Sequence, residues 1–455
     1  MDIQKTKREE QRVDELFKRI HQLLDRGETR KAQIILQALL PVDQAEIFSD
    51  LPDDEQLLIL HGLAVESIAD ILEKVEDAEV AEIAGQLPQE QLADILDEME
   101  PDEAADLLGD LQADQVQDIL ELMEDKEEIR PLLLHPDETA GGLMTSEYLV
   151  LGRNMWAERA LKAVSDWAPE QEYFYYFVVD TVGRLAGVVN LFQLVKAKPR
   201  AELQEFMDRD PISASVTADQ EECAKLMSRY DLTVLPVIDE QDRLVGVITI
   251  DDVIDVLEDE ATEDIQRLGG AEPLDKPYLR TSTWEVAKSR IGWLLLLFVT
   301  GLITTNVLKL FEDTLQRVVA LSFFIPLLVG TGGNAGSQTT ATITRALAVG
   351  DVEKRDALRV LWHEARVGLL MGLLVAAAGF LRAWGGQGSV DLGLTVGLAV
   401  GLIVFWSTSV GSLLPIVALL LGFDPALVSV PLMSTLVDAT GLFIYLTVAR
   451  WILGL

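Results

Sequence analysis

Five apolar segments, at 291–310, 318–348, 367–384, 392–421 and 428–455, dominate the C-terminal part of this chain. Each is long enough to cross about 30 Å of hydrocarbon. A backbone at that depth must satisfy its own hydrogen bonds, so the sequence predicts a five-helix transmembrane domain over 285–455. Five crossings place the two ends of the chain on opposite sides. Lys288 and Arg290 precede the first segment, and Arg345, Lys354, Arg355 and Arg359 lie at the end of the second and in the loop after it. That bias orients the N-terminal side to the cytoplasm and the C-terminus outside. The expectation is a multi-pass protein of the cytoplasmic (inner) membrane.

The charge is distributed very unevenly. Beyond Thr283, lysine and arginine nearly balance aspartate and glutamate, so the formal charge of −38 belongs to the part before it. Such a surface does not neutralise phosphates, which argues against nucleic acid as a partner. It suits divalent cations held between carboxylates. Cys223 is the single cysteine, and His21, His61, His135 and His363 are scattered without zinc-like spacing. The opening MDIQKTKREEQRVDELF is charged and helical in character, with no apolar signal segment. No nucleophile–base pair or phosphate-binding loop appears, so an enzyme is not expected.

Residues 1–135 read as an acidic domain of short helices. LPQEQLADIL, MEPDEAADLL and LQADQVQDIL recur about every twelve residues, which predicts a right-handed superhelix. Residues 136–262 carry two copies of one α/β unit, best matched between FVVDTVGRLAGVVNLFQLV and PVIDEQDRLVGVITIDDVI. Each copy reads as strand, turn, strand, helix. The pair resembles tandem cystathionine-β-synthase (CBS) domains, with MTSEYLVL and MDRDPISASV as the linkers before each copy. Residues 263–284 read as an amphipathic connecting (plug) helix leading to the membrane. The fold class is therefore multidomain and mainly α, with tandem α/β modules in the middle.

Asp438 is the only acid in the run from Ala426 to Leu455. A carboxylate at membrane depth costs about 3 kcal/mol on insertion scales, so it generally faces a bundle interior or a watery path. Arg450 of the same segment lies about 18 Å further along a helix and is out of reach. The second segment holds FFIPLLVGTGGNAGSQTTATITRALAVGD. Pro326 should interrupt the helix ladder, and Gly330, Gly332, Gly333 and Gly336 permit irregular or close backbone. Asn334, Ser337, Gln338, Thr339, Thr340 and Thr342 add oxygens, pointing to a pore-lining or gating element. The competing reading is close helix packing through small residues.

A second concentration of acids is VITIDDVIDVLEDEATEDI. Asp252, Asp255 and Asp259 share one side of a helix, with Glu260, Glu263 and Asp264 on a neighbouring stripe. Like charges three and four apart repel, and divalent cations would offset that. The competing reading is a solvated acidic face.

The order of superhelix, CBS pair, connector and five spans resembles the MgtE family of magnesium channels and transporters. PLLVGTGGNAGSQTTATITRALAVGD and FDPALVSVPLMSTLVDATGLFIYL are similar to its membrane signatures. The resemblance implies a homodimer in the lipid bilayer with a cytoplasmically gated Mg2+ pore. Asp438 would be its ion site, with Asn334, Ser434 and Gly441 beside the path and Asp424 a further metal-binding acid. It implies regulatory Mg2+ on Asp252, Asp255, Glu260, Glu263 and Asp264, with Gly141, Glu221 and Asp231, and with Asp102 and Asp106 from the acidic domain. In CBS modules a threonine and an aspartate three residues later, here Thr249 and Asp252, hold a ribose or phosphate. Tyr173, Tyr175 and Tyr176 offer an adenine face, so ATP is a candidate modulator. Asn190 and Gln193 of the first copy depart from that pattern.

Mg2+ keeps much of its hydration shell, and one acid from each of two subunits can hold it through its waters. The expected function is Mg2+ import, closed by cytoplasmic Mg2+. The alternatives are a non-conducting metal or nucleotide sensor, and a transporter preferring Co2+, Ni2+ or Mn2+.

Overall fold

The computed structural model describes residues 3–167, 174–274, 276 and 278–455. They form two compact units, Met1–Glu258 and Asp259–Leu455. The first unit opens with ten helices: α1 (Ile3–Asp25), α2 (Thr29–Leu36), α3 (Pro41–Ser49), α4 (Asp53–Leu60), α5 (Val65–Leu72), α6 (Asp77–Ala84), α7 (Gln89–Leu96), α8 (Pro101–Gly109), α9 (Ala113–Leu122) and α10 (Lys126–Ile129). Prolines start several of them, with Pro41 and Pro101 in the first turn, where a missing N–H costs nothing. The repeat seen in the sequence is a repeat of burial. Ile59–Leu60, Ile71–Leu72 and Ile95–Leu96 are adjacent pairs sealed at the ends of their helices. Alternate helices stack, α3 on α5, α5 on α7 and α7 on α9, with α6 on α8 beside them.

Two three-stranded sheets follow. In the first, β1 (Val150–Gly152) runs parallel to β2 (Tyr175–Val179), which pairs antiparallel with β3 (Leu185–Asn190). The second repeats this with β4 (Ala214–Ser215), β5 (Val234–Ile238) and β6 (Leu244–Thr249). Even the register slip recurs, at Val178/Val179 and at Val237/Ile238. Helices α11 (Ala157–Asp166), α12 (Leu191–Lys196), α13 (Gln220–Tyr230) and α14 (Ile250–Leu268) complete the copies.

The two linkers are exchanged. Thr145, before the first copy, bridges to Val247 of the second, and Asp208, before the second, bridges to Val188 of the first. Each exchange needs a glycine. A Cβ on Gly246 would sit 2.4 Å from the Met144 sulfur, and one on Gly187 would sit 2.4 Å from the Asp208 carbonyl. The second copy also shares one apolar core with the helical repeat, through Cys223, Val237, Ile248 and Val253. The first copy keeps its own, around Leu151, Val178 and Val189.

The second unit contains α15 (Thr283–Leu310), α16 (Glu312–Arg317), α17 (Ile325–Ala348), α18 (Ala357–Gln387), α19 (Val390–Leu420) and α20 (Val430–Leu453). Five of its helical stretches are long and apolar enough to cross a membrane. α18 and α19 pack along their lengths, α17 lies against α19 and α20, and α15 lies against α20.

Two local expectations are corrected. The connecting helix expected over 263–284 is absent as a separate element. Its first residues continue α14 to Leu268, and no helix is found among the described residues 269–282. Gly270, with φ of +74°, ends the helix, and Pro273 follows. Pro326 does not interrupt a helix either. It lies in the first turn of α17, after a 3-10 stretch at Val319–Phe324.

Gly332 and Gly336 of α17 serve close packing within a regular helix, whereas a Cβ on Gly330 would meet nothing within 4 Å. A Cβ on Gly332 would meet Ile403 at 2.4 Å, and one on Gly336 would meet Ser407 at 2.5 Å and Met433 at 2.6 Å. The α17–α19 crossing is also hydrogen-bonded twice, Ser407 donating to the Gly332 carbonyl at 2.5 Å and Thr340 to that of Gly411 at 3.2 Å. Gly336→Val should force α17 off α19 and α20 and cost about 1–3 kcal/mol. A detergent melting curve unchanged from the parent chain would contradict this.

Candidate metal centres

In the second unit, Asp438 lies in the first half of α20 and is partly buried. No described side chain donates a hydrogen bond or an ion pair to it. Arg450, the cation on the same helix, is committed elsewhere. Its Nε donates to Thr314 Oγ1 at 2.9 Å, and its guanidinium lies 4.4 Å from the centre of the Phe311 ring. The carboxylate is therefore not a salt-bridge partner.

Its surroundings are small and polar. One turn earlier, Ser434 packs on Gly333 and meets Ser337 Oγ at 3.2 Å. Val437 packs on Gly332. Asn334 and Asp438 are thus each one residue beyond this contact of α17 with α20, and Asn334 is exposed. Gly441 is buried, facing Ile403 rather than open space.

Asp424 is not an open ligand. It accepts from Ala426 N at 2.7 Å, capping a 3-10 turn, and from Arg267 Nη1 at 2.6 Å. Arg267 also pairs with Glu263, so a guanidinium stands between these two candidate metal acids. Glu260 and Asp264 are engaged as well.

In the first unit, α8 and the start of α14 bring acids together. Asp102 is 6% exposed, and its Oδ1 is buried with no hydrogen-bond partner among the described residues. Burial raises its carboxyl well above the usual range, and Asp252 and Glu100 add to this. Burial, then Asp102, pushes Glu103 up to about 9. Burial, then Asp77 and Asp137, pushes Asp106 up to about 8. Asp252 is raised to about 6, burial outweighing the hydrogen bond from Thr249, and burial also raises Asp255. Lys74 is the cation among them. Burial works against its charge, but Glu103, Glu100, Glu73 and Asp251 outweigh it and raise its pKa. A protein does not ordinarily bury several carboxylates with one lysine, because each ion loses several kcal/mol of hydration. The cluster needs protons or cations.

Of the residues singled out in the sequence, Asp102, Asp106, Asp252 and Asp255 meet here. Glu103 and Lys74 were missed. Other candidates are engaged differently. Glu221 pairs with Lys225 at 2.7 Å, Asp231 caps α13 with φ of 53°, and the Gly141 N–H donates to the Val216 carbonyl at 3.0 Å. Thr249 Oγ1 donates to Asp252 Oδ2 at 2.5 Å, closing the first turn of α14. Asn190 and Gln193 form the same closure in the first copy, as a full capping box. What looked like a broken nucleotide motif is therefore a conserved cap geometry within this chain, and a nucleotide would have to compete with it. Tyr176 is buried in the first copy's core and Tyr175 is exposed, while Tyr173 lies outside the described residues.

The raised acids set a pH dependence for the cation-free protein. Their folded pKa values exceed the unfolded ones, so packing is firmest below about pH 4 and weakens as pH rises until the highest folded value, about 9, is passed. In chelator, the melting temperature should fall from pH 6 to pH 9. Millimolar Mg2+ should remove most of that fall, because the cation replaces the protons. Equal slopes with and without Mg2+ would count against cation binding here.

Acids buried together in the helical repeat and CBS pair, and an acid on one of five membrane-length helices with no partner among the described residues, define a multi-pass cation-handling protein. Residues 325–448 match the MgtE family, described as a divalent cation transporter, 39–138 match the MgtE intracellular N domain, and 203–259 match the CBS domain. The magnesium transporter MgtE of Thermus thermophilus is 45% identical over 72% of this chain and 73% of its own. That of Bacillus subtilis is 32% identical over 96% and 97%. A solved cytosolic domain of the Mg2+ channel MgtE, in complex with ATP, is 35% identical, covering 52% of this chain and 98% of its own with a TM-score of 0.49. The chain belongs to the MgtE family of magnesium transporters.

Proposed function

We propose that this chain imports Mg2+ through a pore at the axis of a homodimer and is closed by the same ion on its cytoplasmic side. The observation that carries the gating reading is the buried acid cluster with the partnerless Asp102 Oδ1. At low Mg2+ only protons can neutralise it, so its carboxylates repel as pH rises past their raised pKa values and the packing of the helical repeat on the second CBS copy loosens. At high Mg2+ the cation occupies the cluster and holds that packing. The pore reading rests on Asp438, which has no partner among the described residues and which a hydrated Mg2+ would pair across the axis. The weak, water-mediated hold of two carboxylates suits conduction, which needs release as well as capture.

Flux measured in liposomes with the acidic domains facing the bath tests both halves. Uptake should fall as bath Mg2+ rises from micromolar to millimolar. Flux independent of bath Mg2+ would reject the gating, and no flux at all would favour a non-conducting sensor.

A further inference from the structure

The sequence gives the histidines no metal-like spacing, yet the fold assembles one of them with two acids. His21 and Asp25 are one turn apart on α1, and Glu55 comes from the first turn of α4. Their ligand atoms all lie within 4.8 Å of one another. We propose a transition-metal site here, formed by His21 Nδ1, a carboxylate oxygen of Asp25 and one of Glu55, distinct in chemistry from the all-oxygen Mg2+ sites.

Three features prepare it. The Phe17 ring lies parallel to the imidazole, with an interplanar angle of 1° and centroids 6.0 Å apart, which fixes the orientation of Nδ1. Glu55 is only 7% exposed, so its carboxylate is held by packing and is costly to leave unpaired. His21 Nδ1 and Glu55 Oε2 are 2.7 Å apart, a hydrogen-bond distance with the proton between them. Ligands about 2.0–2.1 Å from a tetrahedral ion stand about 3.3 Å apart, so a small opening of this pair replaces the proton by a metal. Asp25 is exposed, and the remaining positions are open to water.

One imidazole nitrogen with two carboxylates suits Zn2+, Co2+ or Ni2+. Mg2+ takes oxygen donors and dehydrates reluctantly, so it is a poor competitor for the nitrogen. A bound ion would fasten α1 to α4 at the start of the helical repeat.

The test is equilibrium dialysis of the full-length protein in detergent against micromolar Zn2+, with millimolar Mg2+ present to occupy the carboxylate sites. The parent chain should retain one Zn2+ that His21→Gln loses, while His61→Gln and His135→Gln keep it. Because His21→Gln leaves Glu55 unpaired, a variant that preserves that pair is also needed. Asp25→Asn keeps it and should weaken Zn2+ by about tenfold or more. Co2+ bound to the parent chain should show visible absorption bands that His21→Gln lacks. No retained Zn2+ on the parent chain, or Zn2+ retained undiminished by Asp25→Asn, would overturn the site and leave His21–Glu55 as an ion pair. Neither result bears on Mg2+ flux, so this proposal and the transport reading fail separately.

Discussion

Asp438→Ala should reduce Mg2+ uptake into liposomes to the background of protein-free vesicles. At about 5 Å and an effective dielectric constant near 20, one carboxylate attracts a divalent ion by about 7 kcal/mol. Losing even half of that lowers occupancy about a hundredfold, and a dimer loses two such groups. The side chain has no hydrogen bond or ion pair to break among the described residues, so folding should survive. Mg2+ should still raise the melting temperature of the soluble part, because the acid cluster around Asp102 is untouched. Asp438→Asn separates charge from shape, keeping the polar bulk and removing the attraction. Uptake by either variant within a few-fold of the parent chain would remove Asp438 from the ion path.

Neutralising the buried cluster should act in the opposite direction to deleting the domain that carries it. Asp102→Asn, Glu103→Gln and Asp106→Asn together remove the repulsion that Mg2+ otherwise offsets. A pair of charges 4 Å apart repels by about 4 kcal/mol at an effective dielectric constant of 20. Two such pairs exceed the roughly 5.5 kcal/mol that moves a two-state equilibrium from 1:99 to 99:1. At about pH 9, where the parent's acids ionise in the absence of Mg2+, the triple variant should therefore stay closed in micromolar Mg2+, with flux near the parent's value in millimolar Mg2+. Removing residues 1–135 should give a pore that conducts and no longer closes. That deletion also strips the second CBS copy of part of its core, since the two share one apolar cluster. The point variants are the cleaner measurement for this reason. A triple variant that opens and closes like the parent would place the sensor elsewhere.

The parts of this molecule legible in the sequence are those where one residue is costly in its neighbourhood. Asp438 announces itself by standing in an apolar run, and the acidic stripe of α14 by its like charges. Glu103 and Lys74 give no such signal. DEAAD reads as the wet side of an amphipathic helix, and only packing on another element buries it. The glycines of α17 were ambiguous for the same reason. Composition does not distinguish irregular backbone from close approach, and Ile403, Ser407 and Met433 decide for close approach. Pro326 shows the limit of local rules, since a proline starts a helix as readily as it ends one. At 263–284, helical character ran past the Gly269–Gly270 pair that in fact ends α14. His21, Asp25 and Glu55 were the least legible, because nothing in a linear spacing joins α1 to α4.

α14 is one unbroken helix of 19 residues. Asp252 lies near its first turn and Arg267, bonded to Asp424, in its last. About 22 Å of helix separates them. Within the second unit, about 12 Å runs from Asp259 to Arg267, so a tilt of about 10° of that stretch sweeps the Arg267 end through about 2 Å, close to the difference between a kept and a broken ion pair. Mechanically, the helix is a lever arm. Its far end is pinned to the short loop that leads directly into the helix bearing Asp438.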